Sequence, residues 1–325
     1  MMEGSIGIKN KPRVCFIVGP TASGKTDAAV AAALALNGEV ISADAIQIYR
    51  GLDKGSAKPT PEEMRGVPHH LIDIVDHTDE SYNVACFARD AAACIADITA
   101  RGKTPIVCGG TGLYVNSLVF PLDFTEVKPD ASIRERLMAE EEAEPGSLYN
   151  RLTEVDPVSA RRLHRNDMKR IVRALEVYEL TGRSLTDNGG DFLNSRQADI
   201  PYEPILAGLE MDRAKLYDRI GLRVDRMIEN GLFEEAEELI KSSDFDPPLS
   251  LQAIGYKQFT AYFEGLSTFS ETVELIKRDT RRFAKRQISW FKRDGRIRWF
   301  NVDSYPDRDS LHADIIEYFK GGMGI

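Results

Sequence analysis

The strongest constraint on this chain is "GPTASGKT" at residues 19–26, directly behind the apolar run "VCFIV". It fits G-x-x-x-x-G-K-[ST], a loop between strand and helix whose backbone N–H groups cradle phosphates while its lysine reaches along them. The flanks agree with that reading. "RVCFIVG" reads as a buried strand, and "KTDAAVAAALALNG" as an Ala-rich helix closed by Gly38. Gly19 and Gly24 permit the backbone turns, Lys25 neutralises phosphate charge, and Thr26 is placed to ligate Mg²⁺. Thr21, Ala22 and Ser23 complete the predicted cradle.

Further apolar runs bounded by turn residues recur at "EVISAD", "HLIDIVD", "TPIVCGG", "PILAGLEM" and "IRWFNVD". Helical patterns lie between the earlier ones, among them "ESYNVACFARDAAACIADITARG", closed by Gly102. This alternation predicts an α/β fold built on a doubly wound, mostly parallel sheet. After Pro121 the texture changes to charged helix formers and ends in the loop-like "DNGGDFLNSRQADIP", before "PILAGLEM" resumes the core. Residues 121–200 are therefore expected to form a mainly helical insertion, with core on either side at 1–120 and 201–325. Two long helices follow, the second around "ETVELIKRDTRRFAKRQISWFKRD".

A hydrophobic fraction of 42% over 325 residues supports a real core. No run approaches the ~20 consecutive apolar residues of a membrane span, and the first residues lack the apolar segment of a signal peptide. A cytoplasmic protein with no membrane partner is expected. Cys15, Cys86, Cys94 and Cys108 show no C-x-x-C spacing, which argues for inert thiols and against zinc.

At the carboxyl end of the second strand, "ISADAIQIYRGLDKGSAKPT" puts Asp44 on the edge of the sheet that carries the phosphate loop. A carboxylate there can serve as a general base, as a metal ligand, or merely as the cap of the following turn. "GGTGLYVNSL" is a second glycine turn opening a helix, and Thr111 can either face the same phosphates or cap that helix. The aspartates of "HLIDIVD" fit a metal-binding strand end or ordinary turn residues equally well.

The net charge is −9, yet residues 277–298 carry ten Lys or Arg against two Asp. Arg278, Arg282, Lys285, Ser289 and Lys292 fall on one helical face, while Val273, Ile276, Phe283 and Trp290 point elsewhere. On an acidic protein such a face is a candidate for tracking a phosphate backbone. A second cluster holds Lys169, Arg170 and Arg173.

Collectively these residues resemble one family, the tRNA dimethylallyltransferases (tRNA isopentenyltransferases). The matching segments are "GPTASGKT", "ISADAIQIYRGLDKGSAKPT", "GGTGLY", "DPVSARRLHRNDMKRIVRALEVYELTG", "LYDRIGLRVDRMIENGL", "AIGYKQ" and "TRRFAKRQISWF", in the family's order across nearly the whole chain. The resemblance implies transfer of a dimethylallyl group from dimethylallyl diphosphate to N6 of the adenosine on the 3′ side of a tRNA anticodon, with Mg²⁺ as cofactor. It makes Asp44 the general base, and Asp44, Ala45, Ile46 and Gln47 the segment that meets the adenosine. Thr111 resembles the threonine that contacts the bridging oxygen, and Arg223 the arginine that holds the diphosphate. Lys169, Arg170, Ile171, Val172 and Arg173, and likewise Gln252, Ala253, Ile254, Gly255, Tyr256 and Lys257, resemble segments that contact the tRNA anticodon stem-loop. Arg134, Arg282 and Lys285 are assigned to the same partner. Some relatives begin the second segment with Arg where this chain has Gln252. The zinc-finger tail of eukaryotic relatives is missing, so a bacterial-type enzyme is expected, acting as a monomer. The rivals are a small-molecule kinase, an adenylate isopentenyltransferase acting on free nucleotide, and a non-enzymatic RNA-binding scaffold.

Overall fold

In the computed structural model the described residues are 11–120, 127, 130–187, 200–243 and 248–325. Residues 188–199 of the loop expected over 187–201, and the opening of the insertion at Pro121, lie outside them. Strands β1 (Arg13–Val18), β2 (Gly38–Ser42), β3 (His69–His70), β4 (Thr104–Gly109), β5 (Glu203–Glu210) and β6 (Arg298–Asn301) form one parallel sheet in the order β3-β2-β4-β1-β5-β6. Helices α1 (Lys25–Ala35), α2 (Pro61–Met64), α3 (Val84–Ala100) and α4 (Gly112–Val119) follow the early strands. Then come α5 (Ala131–Ala143), α6 (Ser147–Val155), α7 (Pro157–Arg162) and α8 (Met168–Thr181). Beyond β5 lie α9 (Arg213–Glu229), α10 (Leu232–Ser242), α11 (Lys257–Phe263) and α12 (Phe269–Phe291), and α13 (Arg308–Met323) ends the chain.

The chain divides into two units, one made of residues through Val119 with Pro201–Ile325, the other of Phe120–Ile200. In the first, β1 is central and its residues 14–18 are wholly buried on both faces, as a parallel sheet covered by helices requires. Cys15 and Ile17 of β1, Ile106 of β4 and Ala207 of β5 pack on Ala28, Ala29, Ala32 and Ala33 of α1, whose small side chains let it lie close to the sheet, and on Leu311, Ile315 and Phe319 of α13. A separate cluster joins Ile48 and Leu52 to Val224 of α9, Leu232, Ala236 and Ile240 of α10, Tyr256, Phe259 of α11 and Ile276 of α12. The second unit has its own core of Leu137, Leu148, Leu152, Ala160, Ile171, Val172 and Leu175.

Two local expectations fail. Helix α1 ends before Gly38, with Leu36 as its cap and Asn37 in the left-handed region at φ 48°, and Gly38 instead opens β2. A Cβ on Gly38 would stand 2.7 Å from the Thr104 carbonyl oxygen, so the glycine serves strand pairing rather than helix closure. In "HLIDIVD" only His70 joins β3, because Leu71 and Asp73 adopt φ 61° and 57°. Lys58, almost fully buried, donates to the Tyr49 carbonyl and Asp53 at 2.6 Å and pairs with Asp73, drawing that aspartate off the strand line. Asp76 accepts from the Thr78 N–H and hydroxyl, so both aspartates act as turn residues.

Glu39 at the start of β2 is buried and accepts from Arg101 at 2.7 Å, Lys103 at 2.6 Å and His70 at 2.7 Å, tying β3 and the end of α3 to the sheet. The Arg101 guanidinium, with Lys103 and His70, holds its carboxyl well below the usual range against the opposing effect of burial. A carboxyl depressed in the folded state adds stability that is present above the unfolded carboxylate range and lost as the pH falls below it. Glu39→Gln should therefore cost about 1–3 kcal/mol at neutral pH. Denaturant titrations should show the gap to wild type closing below the ordinary carboxylate range.

Candidate active site

The phosphate loop owes its path to two backbone positions. Gly19 has φ 143°, and a Cβ there would lie 2.6 Å from the Leu209 carbonyl oxygen, so only glycine lets the chain leave β1 beside β5. Gly24, at φ 95°, caps α1. Between them Ala22 is also left-handed, at φ 63°, and its methyl packs with Leu216 and Ile220 of α9 and Ala284 of α12. The N–H groups of Ala22, Gly24, Lys25 and Thr26 find no partner among the described residues, which leaves them to an anion at the positive end of α1. The Ser23 hydroxyl, at 2.8 Å, and the Lys25 ammonium, at 2.6 Å, both donate to the Pro20 carbonyl. Burial first, and then Arg223, bring the Lys25 ammonium down to about 8 against the opposing influence of Cys108 and Asp44.

Asp44 follows β2 at the same edge. Its Oδ1 accepts from the N–H groups of Ile46, at 2.9 Å, and Gln47, at 3.4 Å, so the carboxylate does cap a turn, but the turn does not continue as a helix. Oδ2 receives no hydrogen bond from the described residues. Thr111, opening α4, accepts the Ala45 N–H on its hydroxyl at 3.0 Å, which joins the two turns and leaves its own proton to donate. The Gln47 side chain accepts from the Ser42 hydroxyl at 3.0 Å.

Arg223 of α9 is partly buried, and burial lowers its guanidinium against the pull of Asp44 and then Glu63. Arg219, one turn earlier, was missed by sequence reasoning. Its Nη2 would lie 3.8 Å from a Cβ on Gly24, and it too is lowered by burial, with Arg308 adding to the effect. Its acidic neighbours are committed elsewhere, Asp27 to Arg308 at 2.7 Å and Asp303 to Lys215 at 2.9 Å. The i,i+4 spacing of two arginines in "DRIGLR" was the available signal. Also missed was Gln287 of α12, a buried amide that accepts from the Thr21 N–H at 2.8 Å and donates to the Gly110 carbonyl at 3.0 Å.

The residues assigned to RNA divide by exposure. On α12 Arg278, Arg282, Lys285 and Ser289 are exposed, as is Lys292 at its C-cap, while Ile276 is buried and Val273, Phe283 and Trp290 are partly so. Within "QAIGYK" Gln252 and Lys257 are exposed, Ala253 and Ile254 partly buried, and Gly255 and Tyr256 buried. Tyr256 donates to Glu235 at 2.7 Å and accepts the Gly55 N–H at 3.1 Å, so its side chain holds the loop after Gln47 from beneath. In the helical unit Lys169 and Arg170 are exposed, whereas Ile171 and Val172 point into the core. Arg134 forms a two-bond pair with the buried Glu176, at 2.8 and 3.0 Å, and Arg173 pairs with the same carboxylate at 2.6 Å.

A phosphate loop, a carboxylate turn and a Gly-Gly-Thr-Gly turn at one edge of a parallel sheet define a P-loop α/β protein. Comparison narrows the class. Residues 47–294 match the family described as IPP transferase, and residues 12–77 that described as isopentenyl transferase. The chain is 45% identical over 312 residues to the tRNA dimethylallyltransferase of Alkaliphilus oremlandii, covering 96% of this chain and 98% of that one. It is 46% identical over 313 residues to that of Caldanaerobacter subterraneus subsp. tengcongensis, with the same coverage. Among solved structures it is similar to the tRNA isopentenylpyrophosphate transferase of Bacillus halodurans, with a TM-score of 0.71, 40% identity and 96% of both chains covered. It is also similar to a eukaryotic dimethylallyltransferase acting on tRNA, with a TM-score of 0.79, 28% identity, and 96% of this chain and 80% of that one covered. The chain belongs to the tRNA dimethylallyltransferase family, as its motifs led one to expect.

Calorimetric titration with pyrophosphate should separate the cations at the loop. Removing a charged donor by Arg219→Gln or Arg223→Gln should each weaken binding roughly ten- to a hundredfold. Wild-type affinity in Arg219→Gln would remove that residue from the site.

Proposed function

We propose that this protein transfers a dimethylallyl group from dimethylallyl diphosphate to N6 of the adenosine 3′-adjacent to the anticodon in tRNA. The observation that carries this reading is the hydrogen bond from the Ala45 N–H to Thr111, which sets a free carboxylate oxygen of Asp44 and a hydroxyl beside a phosphate cradle. The neighbours of the cradle suit alkyl transfer. As the N6 lone pair forms the new C–N bond, the C–O bond to the diphosphate breaks and its electron pair goes to the bridging oxygen, where Thr111 donates. Asp44 Oδ2 accepts the N6 proton. Lys25, Arg219, Arg223 and the open N–H groups stabilise the leaving pyrophosphate as a preorganised positive field.

Mg²⁺ fits this donor set. The Thr26 hydroxyl, in the first turn of α1, makes no hydrogen bond with a described residue, and one protein hydroxyl with diphosphate oxygens and waters is a usual magnesium environment. The bound ion would neutralise charge on the departing pyrophosphate.

The exposed face of α12 and the exposed Lys169 and Arg170 supply positive charge for the RNA backbone, and anticodon loops are where a base can be splayed out for reaction. A free-nucleotide prenyltransferase has no use for such a face.

Labelled dimethylallyl diphosphate offered to tRNA, AMP or no acceptor tests the assignment directly. Label should enter tRNA alone, and tRNA-stimulated ATP hydrolysis without prenyl transfer would sink it. Asp44→Ala should keep near-normal tRNA binding and lose at least about a hundredfold in single-turnover rate. Replacing Arg282 and Lys285 by Ala should weaken tRNA binding and flatten its salt dependence, because fewer counterions are released. An unchanged salt slope would return this face to ordinary solvation.

A further inference from the structure

We infer that Gln287 is a positioning residue for the transfer step, its single buried amide setting the spacing between the phosphate loop and the Thr111 turn. One half of the amide serves each segment, Oε1 accepting from the Thr21 N–H at 2.8 Å and Nε2 donating to the Gly110 carbonyl at 3.0 Å. Since one partner is a donor and the other an acceptor, both backbone groups fix the amide's orientation. A carboxylate of the same length lacks the donor, and an ammonium lacks the acceptor. The residue is 6% exposed, so water does not readily replace either bond.

The glycines around Thr111 are shaped to this arrangement. A Cβ on Gly110 would collide with Gln287 Nε2, and one on Gly112 with the indole of Trp290, one helical turn further along α12. Thr111 thus lies between two glycines pressed on the inner face of one helix, with its hydroxyl held by Ala45 N–H. In the proposed reaction the loop grips the phosphates while Thr111 meets the bridging oxygen. The distance between the two segments therefore decides whether both are met at once, and a displacement of about 1 Å can cost 10²-fold. This inference rests on the transfer reaction proposed above.

Gln287→Met removes both bonds at similar volume, and Gln287→Glu keeps the acceptor for Thr21 while removing the donor to Gly110. Each should lower kcat for dimethylallyl transfer at least about tenfold, with KM for tRNA within about threefold of wild type. Combined with Thr111→Ala, Gln287→Met should add less than about threefold, because both lesions remove the same contact to the bridging oxygen. A residue that only stabilises the fold would instead give multiplying effects and a kcat that follows melting temperature. Wild-type kcat in both variants, or full multiplication with Thr111→Ala, would overturn the inference. Absence of prenyl transfer by the wild type would instead overturn the proposed function. Should Gln287→Met fail to fold, Gln287→Glu carries the same comparison, since it retains one of the two bonds.

Discussion

Three segments that leave three neighbouring parallel strands have to meet at one edge with no side chain wedged between them. The close backbone approach at that edge is the constraint on which the rest depends. Gly19 passes under β5 where a Cβ would meet the Leu209 carbonyl at 2.6 Å, and a Cβ on Gly109 would collide with the Ala43 carbonyl. Because β2 and β4 come so near, the Thr111 N–H reaches the Ala43 carbonyl at 3.2 Å and its hydroxyl reaches Ala45. A phosphate cradle, a carboxylate and a hydroxyl donor are then held by backbone geometry rather than by long side chains, which keeps the entropy of ordering them low.

Charge is layered over that frame. Lys25 and Arg223 both feel Asp44, Arg219 feels Asp27 and Asp303, and burial lowers each of the three cations. Buried cations carry a desolvation cost that a neighbouring anion offsets, which is the physical reason such a cluster favours an anionic ligand. The helical unit does the opposite with Arg134 and Arg173, spending both on the buried Glu176. Its solvent-facing charge comes instead from residues such as Lys169 and Arg170.

Local pattern carried much of this architecture. Strands β1, β2, β4 and β5 were legible as apolar runs ending in turn residues, and the phosphate loop by its spacing. What escaped depended on partners distant in sequence. The run at 70–76 is apolar enough for a strand, but Lys58 draws Asp73 away from it. Gly38 looked like a helix stop because its true constraint, the Thr104 carbonyl, comes from another strand. Tyr256 lies in a segment assigned to RNA, yet its hydroxyl is engaged with Glu235 and Gly55, and no periodicity reveals that. Gln287 is one uncharged residue in a basic helix, and its partners, the Thr21 N–H and the Gly110 carbonyl, lie far from it in sequence.

The central claim is that this loop holds a diphosphate whose C–O bond, not its P–O bond, is broken. The most direct measurement uses dimethylallyl diphosphate with a heavy-oxygen label at the bridging position, reacted with tRNA and followed by mass spectrometry of both products. All of the label should leave in pyrophosphate, with an unlabelled dimethylallyl group on the tRNA. Label recovered in dimethylallyl alcohol or dimethylallyl monophosphate, or orthophosphate as the released product, would contradict the account.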